Sequence, residues 1–471
     1  MRTPRALPAM MMFMLAGVAP AQPEPVVSSP PAFSQGEAGD ASHLEAQAWW
    51  EAFGDPTLTG LVRRATGGSL TLQQAQARIL QARAALGSAK AGQWPSVTAA
   101  AQVSRSRTST NAVTAIQAAG AAGTATLYQA GFDASWELDF FGGRRRAREA
   151  AQARYEASVE DLRAALLTLA GDVASNYITL RGNQTLLEVT RQNAETQRQA
   201  VNVTEERQRL GLTSGLDAAQ ARAQLTATEA ELPALEASIR QSCHRLGVLL
   251  GLEPTALVAE LSQAKPLPSA QGAIATGLPL ELLARRPDLR SAERNLSAAL
   301  ADVSVARADL YPRFDLTLGL GLQSTGGSTF TSISSRYWSI VPGLSLPVFN
   351  RGAIKANVAK KEGVYQEALA GFRASYHSAL EDVENALANY YGERTRAAGL
   401  AESLSQSRQA LALAQERYRR GLTGFLDVLT AQSSVHTAQR SLAQSQAQIL
   451  MNLVALHKAL GGGWAVSGLS A

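Results

Sequence analysis

Few side chains in this sequence are spaced for chemistry. Cys243 stands next to His244, and the five histidines are otherwise scattered. A Cys-His pair with no third or fourth ligand at zinc spacing is not a metal site, and Cys243 reads as a small buried hydrophobe. Adjacent carboxylates occur at Glu205-Glu206 and Glu381-Asp382. Such pairs can do acid–base work, but these lie on long polar helix faces and read as solvated surface. No Gly-rich phosphate loop or nucleophile elbow occurs. The sequence therefore argues against an enzyme, and no cofactor or metal is expected. Two carboxylates stand out by position instead. Asp217 and Asp427 each follow a turn written Gly-Leu-Thr, at Gly211-Leu212-Thr213 and Gly421-Leu422-Thr423. Glycine supplies the left-handed geometry that ends a helix. An Asp just past such a turn reads as an N-cap or first-turn residue that complements the helix dipole.

That coincidence belongs to a repeat with a period near 210 residues. The run from Glu206 to Asp217 aligns with the run from Glu416 to Asp427, with Glu, Arg, Arg, Gly, Leu, Thr, Leu and Asp in the same places. The same offset puts Leu162-Arg163 on Phe372-Arg373 and Asp172-Val173 on Asp382-Val383. After a small shift, Trp94-Pro95 matches Tyr311-Pro312. The chain reads as two copies of one unit: helix, strand, loop, strand, very long helix, Gly turn, returning helix.

The elements that must carry these turns are legible. Helices are expected from Leu70 to Gln93 and from Asp288 to Leu310, each ending ahead of a proline. Phe314, Leu316, Leu318, Leu320 and Leu322 alternate with Asp315, Thr317, Gly319, Gly321 and Gln323. Phe132, Ala134, Trp136, Leu138 and Phe140 alternate with Asp133, Ser135, Glu137 and Asp139. Weaker alternation marks strands at Val97 to Val103 and at Trp338 to Leu346. A soluble sandwich strand also has one apolar face. Segments near 10 residues, carboxylates on the polar face and aromatics near the ends favour a membrane barrel. Four strands cannot close a barrel, since about eight are needed, and an open edge cannot lie in lipid. The barrel must then be shared between protomers. Ser, Thr, Ala and Gly enrich Arg105 to Leu127 and Gln323 to Arg336, which read as outer loops.

Long helices are expected from Arg144 to Arg209 and from Ala353 to Arg419, each reaching about 100 Å at 1.5 Å per residue. Leu162, Leu166, Leu169, Val173, Tyr177 and Leu180 form an apolar seam on the first. Phe372, Tyr376, Ala379, Val383, Leu387 and Tyr390 repeat its spacing on the second, a coiled-coil-like pattern. A buried stripe in a globular bundle would look similar, but globular helices rarely exceed ~25 residues.

The composition agrees with helices packed by small side chains: aromatics are 6% and charged residues 18%. The net charge is +5, with no basic block beyond Arg144, Arg145, Arg146 and Arg148, so a nucleic-acid partner has little support. Arg2, Arg5, an apolar run from Ala6 to Val18 and Ala19-Pro20-Ala21 read as a cleaved export signal. Val18 stands where a lipoprotein signal carries its acylated Cys, so membrane attachment is left to the barrel.

Taken together the chain resembles the TolC-like outer-membrane factor family, in its OprM/NodT-like branch. The resemblance runs from about Trp49 to Trp464. Its most specific stretch is Gly277-Leu278-Pro279-Leu280-Glu281-Leu282-Leu283-Ala284-Arg285-Arg286-Pro287-Asp288-Leu289-Arg290-Ser291-Ala292-Glu293-Arg294, supported by Trp50, Phe53, Asp55-Pro56 and Leu58, and by Ala306 to Pro312. It implies a homotrimer with a twelve-stranded barrel in the outer membrane of a Gram-negative cell and a twelve-helix barrel through the periplasm. It also implies a periplasmic adaptor and an inner-membrane transporter of the resistance-nodulation-division type as partners. By matching position, Asp217 and Asp427 resemble constriction carboxylates and Tyr418 a residue tying neighbouring helices. Arg209, Gly211, Leu212 and Thr213, with Arg419, Gly421, Leu422 and Thr423, are the implied adaptor-facing tips. Six like charges in a narrow pore would attract cations and repel one another. Capping and gating both remain open for the two Asp, and one residue can do both. Thr423 and Thr430 stand where some members have an Arg and a second Asp, so the same ionic lock is not expected.

The domain reading is a signal at 1–21, an N-terminal segment at 22–69, a first repeat at 70–254, a linker at 255–286, a second repeat at 287–464 and a tail at 465–471. The expected function is a passive exit duct for small molecules such as drugs, solvents or metal ions. A type I protein-secretion duct and a non-pore envelope coiled coil are the alternatives.

Overall fold

The computed structural model describes residues 30–35, 48–107, 124–269 and 279–462. The signal, most of the segment before Ala48, the tip of the first outer loop, part of the linker with Gly277 and Leu278, and the C-terminal tail lie outside the described residues. After a 3-10 turn at Trp49–Phe53 come α1 (Pro56–Gly68), α2 (Leu70–Ala91), β1 (Ser96–Arg107), β2 (Thr124–Leu138) and α3 (Gly143–Arg209). Next are α4 (Gly215–Glu229), α5 (Leu232–Leu249), α6 (Val258–Leu261), α7 (Leu282–Arg285) and α8 (Pro287–Ala308). The chain closes with β3 (Arg313–Ser324), β4 (Arg336–Ser345), α9 (Arg351–Arg419) and α10 (Phe425–Ala459).

α3 and α9 hold 67 and 69 residues without an internal proline. The returning helix differs from expectation in the first half, where it is two pieces, α4 and α5, whereas α10 is unbroken. Pro233 is the cause: it lacks an N–H, and its ring meets the carbonyl four residues back, at the last residue of α4. The strands also run further than expected. β1 reaches Arg107 and β2 starts at Thr124, so part of the presumed outer loop is ladder, while Phe140 falls beyond the strand.

The four strands form one antiparallel sheet in the order β1-β2-β3-β4. Phe132 lies opposite Leu320 and Leu320 opposite Trp338, with Ala134, Leu318 and Ile340 as the next row. Period-two alternation keeps these rows on one face, and Phe132, Leu320, Trp338 and Ile340 are 58–74% exposed. The opposite face carries Asp133, Glu137, Asp315, Gln129 and Gln323. One spot on that face is crowded. Gly131 and Gly321 are paired, and the Tyr337 ring lies across them with its hydroxyl accepting from Gln129 Nε2 at 3.0 Å. Among the described residues β1 and β4 each pair on one side only.

The apolar stripes are buried, but not as one seam between the long helices. Leu162, Leu166, Leu169, Val173, Tyr177 and Leu180 pack against Trp49, Trp50, Phe53, α1, α5 and α10. Phe33 and α7, α8 and α10 complete a separate cluster around Tyr376, Ala379, Val383 and Leu387. The short elements thus form a belt around the middle of the long helices. Asp55 buckles it: its carboxylate accepts from Thr57 N at 2.7 Å, capping α1, and from the Tyr177 hydroxyl at 2.5 Å. Burial, reinforced by Asp55, pushes the Tyr177 phenol up to about 12. Arg181 stacks on the same ring at 4.9 Å and donates to Gln184 and to the Gln263 carbonyl.

His457 gives the belt an acid-sensitive point. Its ring stacks on Trp49 at 5.4 Å, and burial holds its pKa down to about 4 from the ordinary 6.5. The unfolded chain therefore binds this proton more readily than the folded one. The native state loses stability as pH falls from ~6.5 to ~4, and is unaffected by this group above that window. Replacing His457 by Gln is expected to flatten the acid side of the stability–pH curve by about 1–2 kcal/mol in that range. Melting temperatures at stepped pH check it, and parallel curves for the two proteins would refute it.

Candidate functional site at the helix tips

The far ends of α3 and α9, opposite the sheet, end in the same way. Gly211 and Gly421 both adopt φ of +72°. Gly211 N–H donates to the Gln208 carbonyl and Leu212 N–H to that of Arg207, at 2.9 and 2.8 Å. In the second tip Gly421 donates to Tyr418 and Leu422 to Arg417, at 3.0 and 2.9 Å. These paired bonds satisfy carbonyls that a helix end otherwise leaves open, and only glycine takes the left-handed turn without strain.

Beyond the turns the halves diverge. Ser214 is the N-cap of α4, and its hydroxyl accepts from Asp217 N at 3.4 Å. The Thr213 hydroxyl donates to the Asp217 carboxylate, which is half-buried. Gly424 takes the equivalent place before α10 and offers no side chain. Asp427 is exposed and enters none of the described hydrogen bonds or ion pairs, while the Thr423 hydroxyl is buried with no hydrogen-bond partner. Both Asp sit in the first turn of their helix, where the dipole favours them. Neither is the N-cap itself.

The tips are held side by side. Val201 of α3, Ala221 of α4 and Phe425, Val428 and Leu429 of α10 form a small core, with Tyr418 and Leu411 of α9 packed on it. The Tyr418 ring lies 5.5 Å from Phe425, and the Arg207 guanidinium stacks over it at 4.8 Å. Tyr418 thus joins the end of α9 to the end of α3 across the two halves. Sequence reading missed Arg207 and Phe425. Arg207 aligns with Arg417 in the repeat, but no intra-repeat comparison can show that it stacks on a ring from the other half.

The outermost surface is apolar and basic. Leu210, Leu212, Leu216, Leu422 and Leu426 are all 58–64% exposed. Arg209 pairs with Glu206 at 2.6 Å, Arg420 with Glu416 at 2.7 Å, and Arg222 with Glu205 at 2.6 Å. Arg419 is exposed beside them. Glu205 and Glu206 are therefore salt-bridged surface groups, far from an acid–base pair. The five exposed leucines thus lie together in one patch at the tips.

The model of the outer membrane efflux protein family matches residues 61–252 and 278–462. The chain is 37% identical to the pyoverdine export outer membrane protein OpmQ of Pseudomonas putida over 96% of its length and 95% of the relative's. It is 31% identical to nodulation protein T of Rhizobium leguminosarum bv. viciae over 94% and 89%. Among solved structures, the outer-membrane channel OprN superposes with a TM-score of 0.85 at 33% identity, over 94% of this chain and all of that one.

Proposed function

The chain belongs to the outer membrane efflux protein family, and we propose that it is the outer-membrane exit duct of a tripartite efflux pump that conducts small molecules. One observation carries this reading. The sheet has an exposed apolar face, an acidic face and two unpaired edges, and the strands at those edges adjoin α2 and α9. A lipid-facing sheet has to close. Three copies give twelve strands above and a ring of long helices below, with Asp133, Glu137 and Asp315 lining the lumen. The duct is passive, and the carboxylates Asp217 and Asp427 with Tyr418 form its constriction at the periplasmic tips.

The leucine-and-arginine surface at Arg209, Gly211, Leu212, Thr213, Arg419, Gly421, Leu422 and Thr423 receives the periplasmic adaptor. An inner-membrane transporter of the resistance-nodulation-division type feeds the adaptor. Small-molecule cargo is in keeping with the similarity to OpmQ, a pyoverdine export protein. A protein-secretion duct is not favoured by that similarity. A pore-free coiled coil leaves the open sheet edges and the likeness to a channel without a reason.

The test is conductance. Protein purified from the outer-membrane fraction and added to a planar bilayer should give discrete steps that favour cations. Protein found in that fraction but giving no steps would refute the duct. Export is proposed to run through a signal cleaved near Gln22, without acylation because Val18 replaces the required Cys. Intact-mass measurement of the mature chain should show that terminus and no acyl mass, whereas an acylated product would contradict the barrel-only attachment.

A further inference from the structure

The end of the sheet from which the helices leave is ringed by cations that the helices themselves do not call for. Four helix ends meet there. α2 and α8 arrive with Lys90 and Arg307 in their last turns, where the dipole favours positive charge. α3 and α9 depart from the same end with no acidic residue in the first turn of either. α3 opens with Arg144, Arg145, Arg146 and Arg148, and no Asp or Glu lies between Arg351 and Lys361 of α9. Basic residues at a helix N-terminus oppose the dipole. At α3 the Asp139 carboxylate accepts from Arg145 N–H at 2.8 Å and offsets part of this, but several exposed cations remain at one helix start. At α9 no acidic residue stands in the first turn, and a local choice that works against its own helix points to a demand from outside the chain.

Some of these charges are used internally. Arg144 pairs with Glu137 at 2.6 Å and Arg146 with Glu149 at 2.6 Å. Others are not. Arg145 is 64% exposed and approaches Glu149 only at 4.0 Å, and Arg148 reaches no carboxylate, only Gln93 Oε1 at 3.5 Å. Arg351 and Lys355 are exposed and enter none of the described ion pairs. All four lie within about 8 Å of the helix starts along the axis. Just on the sheet side of them stand exposed Trp94, Phe140, Tyr311 and Phe349. An apolar band, an aromatic step and then exposed cations is the order met on passing from hydrocarbon through a headgroup layer into water.

We propose that Arg145, Arg148, Arg351 and Lys355 form a collar that binds the phosphates of anionic phospholipids in the membrane leaflet from which the helices depart. This rests on the outer-membrane reading above. The collar fixes the depth of the barrel, and the phosphates it binds bring negative charge to the N-terminus of α9, whose first turn holds no acidic residue.

The full chain and the variant Arg145→Gln/Arg148→Gln/Arg351→Gln/Lys355→Gln would be purified in mild detergent with equal amounts of phosphatidylglycerol and phosphatidylethanolamine. Native mass spectrometry then counts the lipid retained. The native protein should prefer phosphatidylglycerol by about tenfold, and the variant by little. Removing cations from helix N-termini does not weaken the helices, so the variant should still assemble and conduct in a phosphatidylethanolamine bilayer. A Lys replacement at Arg145 and Arg148 should keep the preference, because charge carries it. Equal retention of both lipids by the native protein, or an unchanged preference in the glutamine variant, overturns the collar. If neither protein conducts, the duct reading falls and the collar with it.

Discussion

Replacing Asp217 and Asp427 together by Ala is expected to raise single-channel conductance severalfold while weakening the preference for cations. Two effects oppose each other. Removing fixed negative charge lowers the local cation concentration, which reduces current. Removing two side chains and the Thr213–Asp217 tie widens and loosens the proposed constriction. At the narrowest point of a pore the second effect prevails, because current rises steeply with aperture. The two residues should not contribute equally. Asp217 is held by Thr213 and lies half-buried, whereas Asp427 is exposed and enters none of the described bonds. The single change Asp427→Ala should therefore take more of the cation preference, and Asp217→Ala more of the closure. The near-isosteric Asp→Asn pair separates the two effects: selectivity should fall with little change in conductance. Single-channel recording in asymmetric salt reads both. If the double Ala variant leaves both unchanged, the carboxylates only complement their helix dipoles, an effect of about 0.3–1 kcal/mol each.

Gly321→Val should abolish the assembled barrel. A side chain at Gly321 would sit 2.4 Å from the Ala130 carbonyl oxygen, 2.7 Å from Gly131 Cα and 3.0 Å from the Tyr337 ring. The first two are backbone atoms of the neighbouring strand and cannot move aside without breaking the β2–β3 ladder. The cost is about 3 kcal/mol or more, beyond ordinary overpacking. Oligomer recovered from the outer membrane should fall to near background. Adding Tyr337→Ala removes only the ring contact, so it should not rescue Gly321→Val. Recovery in the double variant would mean that the ring, and not the close strand approach, sets the need for glycine. Tyr337→Ala alone should be mild by comparison, since Gln129 then loses one bond on a wet face.

Much of this architecture was readable because its signals are local and periodic. Alternation from Phe314 to Gln323 fixed the two faces of β3, and register then carried the same faces across to β2 and β4. The absence of proline marked α3 and α9, and Gly211 and Gly421 marked their ends. What escaped was of two kinds. The repeat gives one returning helix in each half, and it does not show the break between α4 and α5 that Pro233 imposes in the first half alone. The strand ends at Arg105 to Arg107 and Thr124 to Leu127 carry loop-like Ser, Thr, Ala and Arg, and only pairing with their neighbours makes them ladder.

The second kind depends on contacts between distant parts. The spacing from Leu162 to Leu180 gives a coiled-coil-like seam, and in the fold it is covered by Trp49, Phe53 and the short helices of the belt as well as by α10. Periodicity tells which face is buried and says nothing about what buries it. At the tips, repetition predicted equivalent carboxylates. The exchange of Ser214 for Gly424 removes one cap and leaves Asp427 in a different environment from Asp217. The Arg207–Tyr418 stack joins residues 211 positions apart in two different repeats, and nothing in either repeat alone predicts it.

The central claim is that this chain closes its barrel only with copies of itself. Native mass spectrometry of protein extracted by mild detergent from the outer-membrane fraction tests it most directly. The account predicts a trimer there, and a monomer in the soluble periplasmic fraction would contradict it.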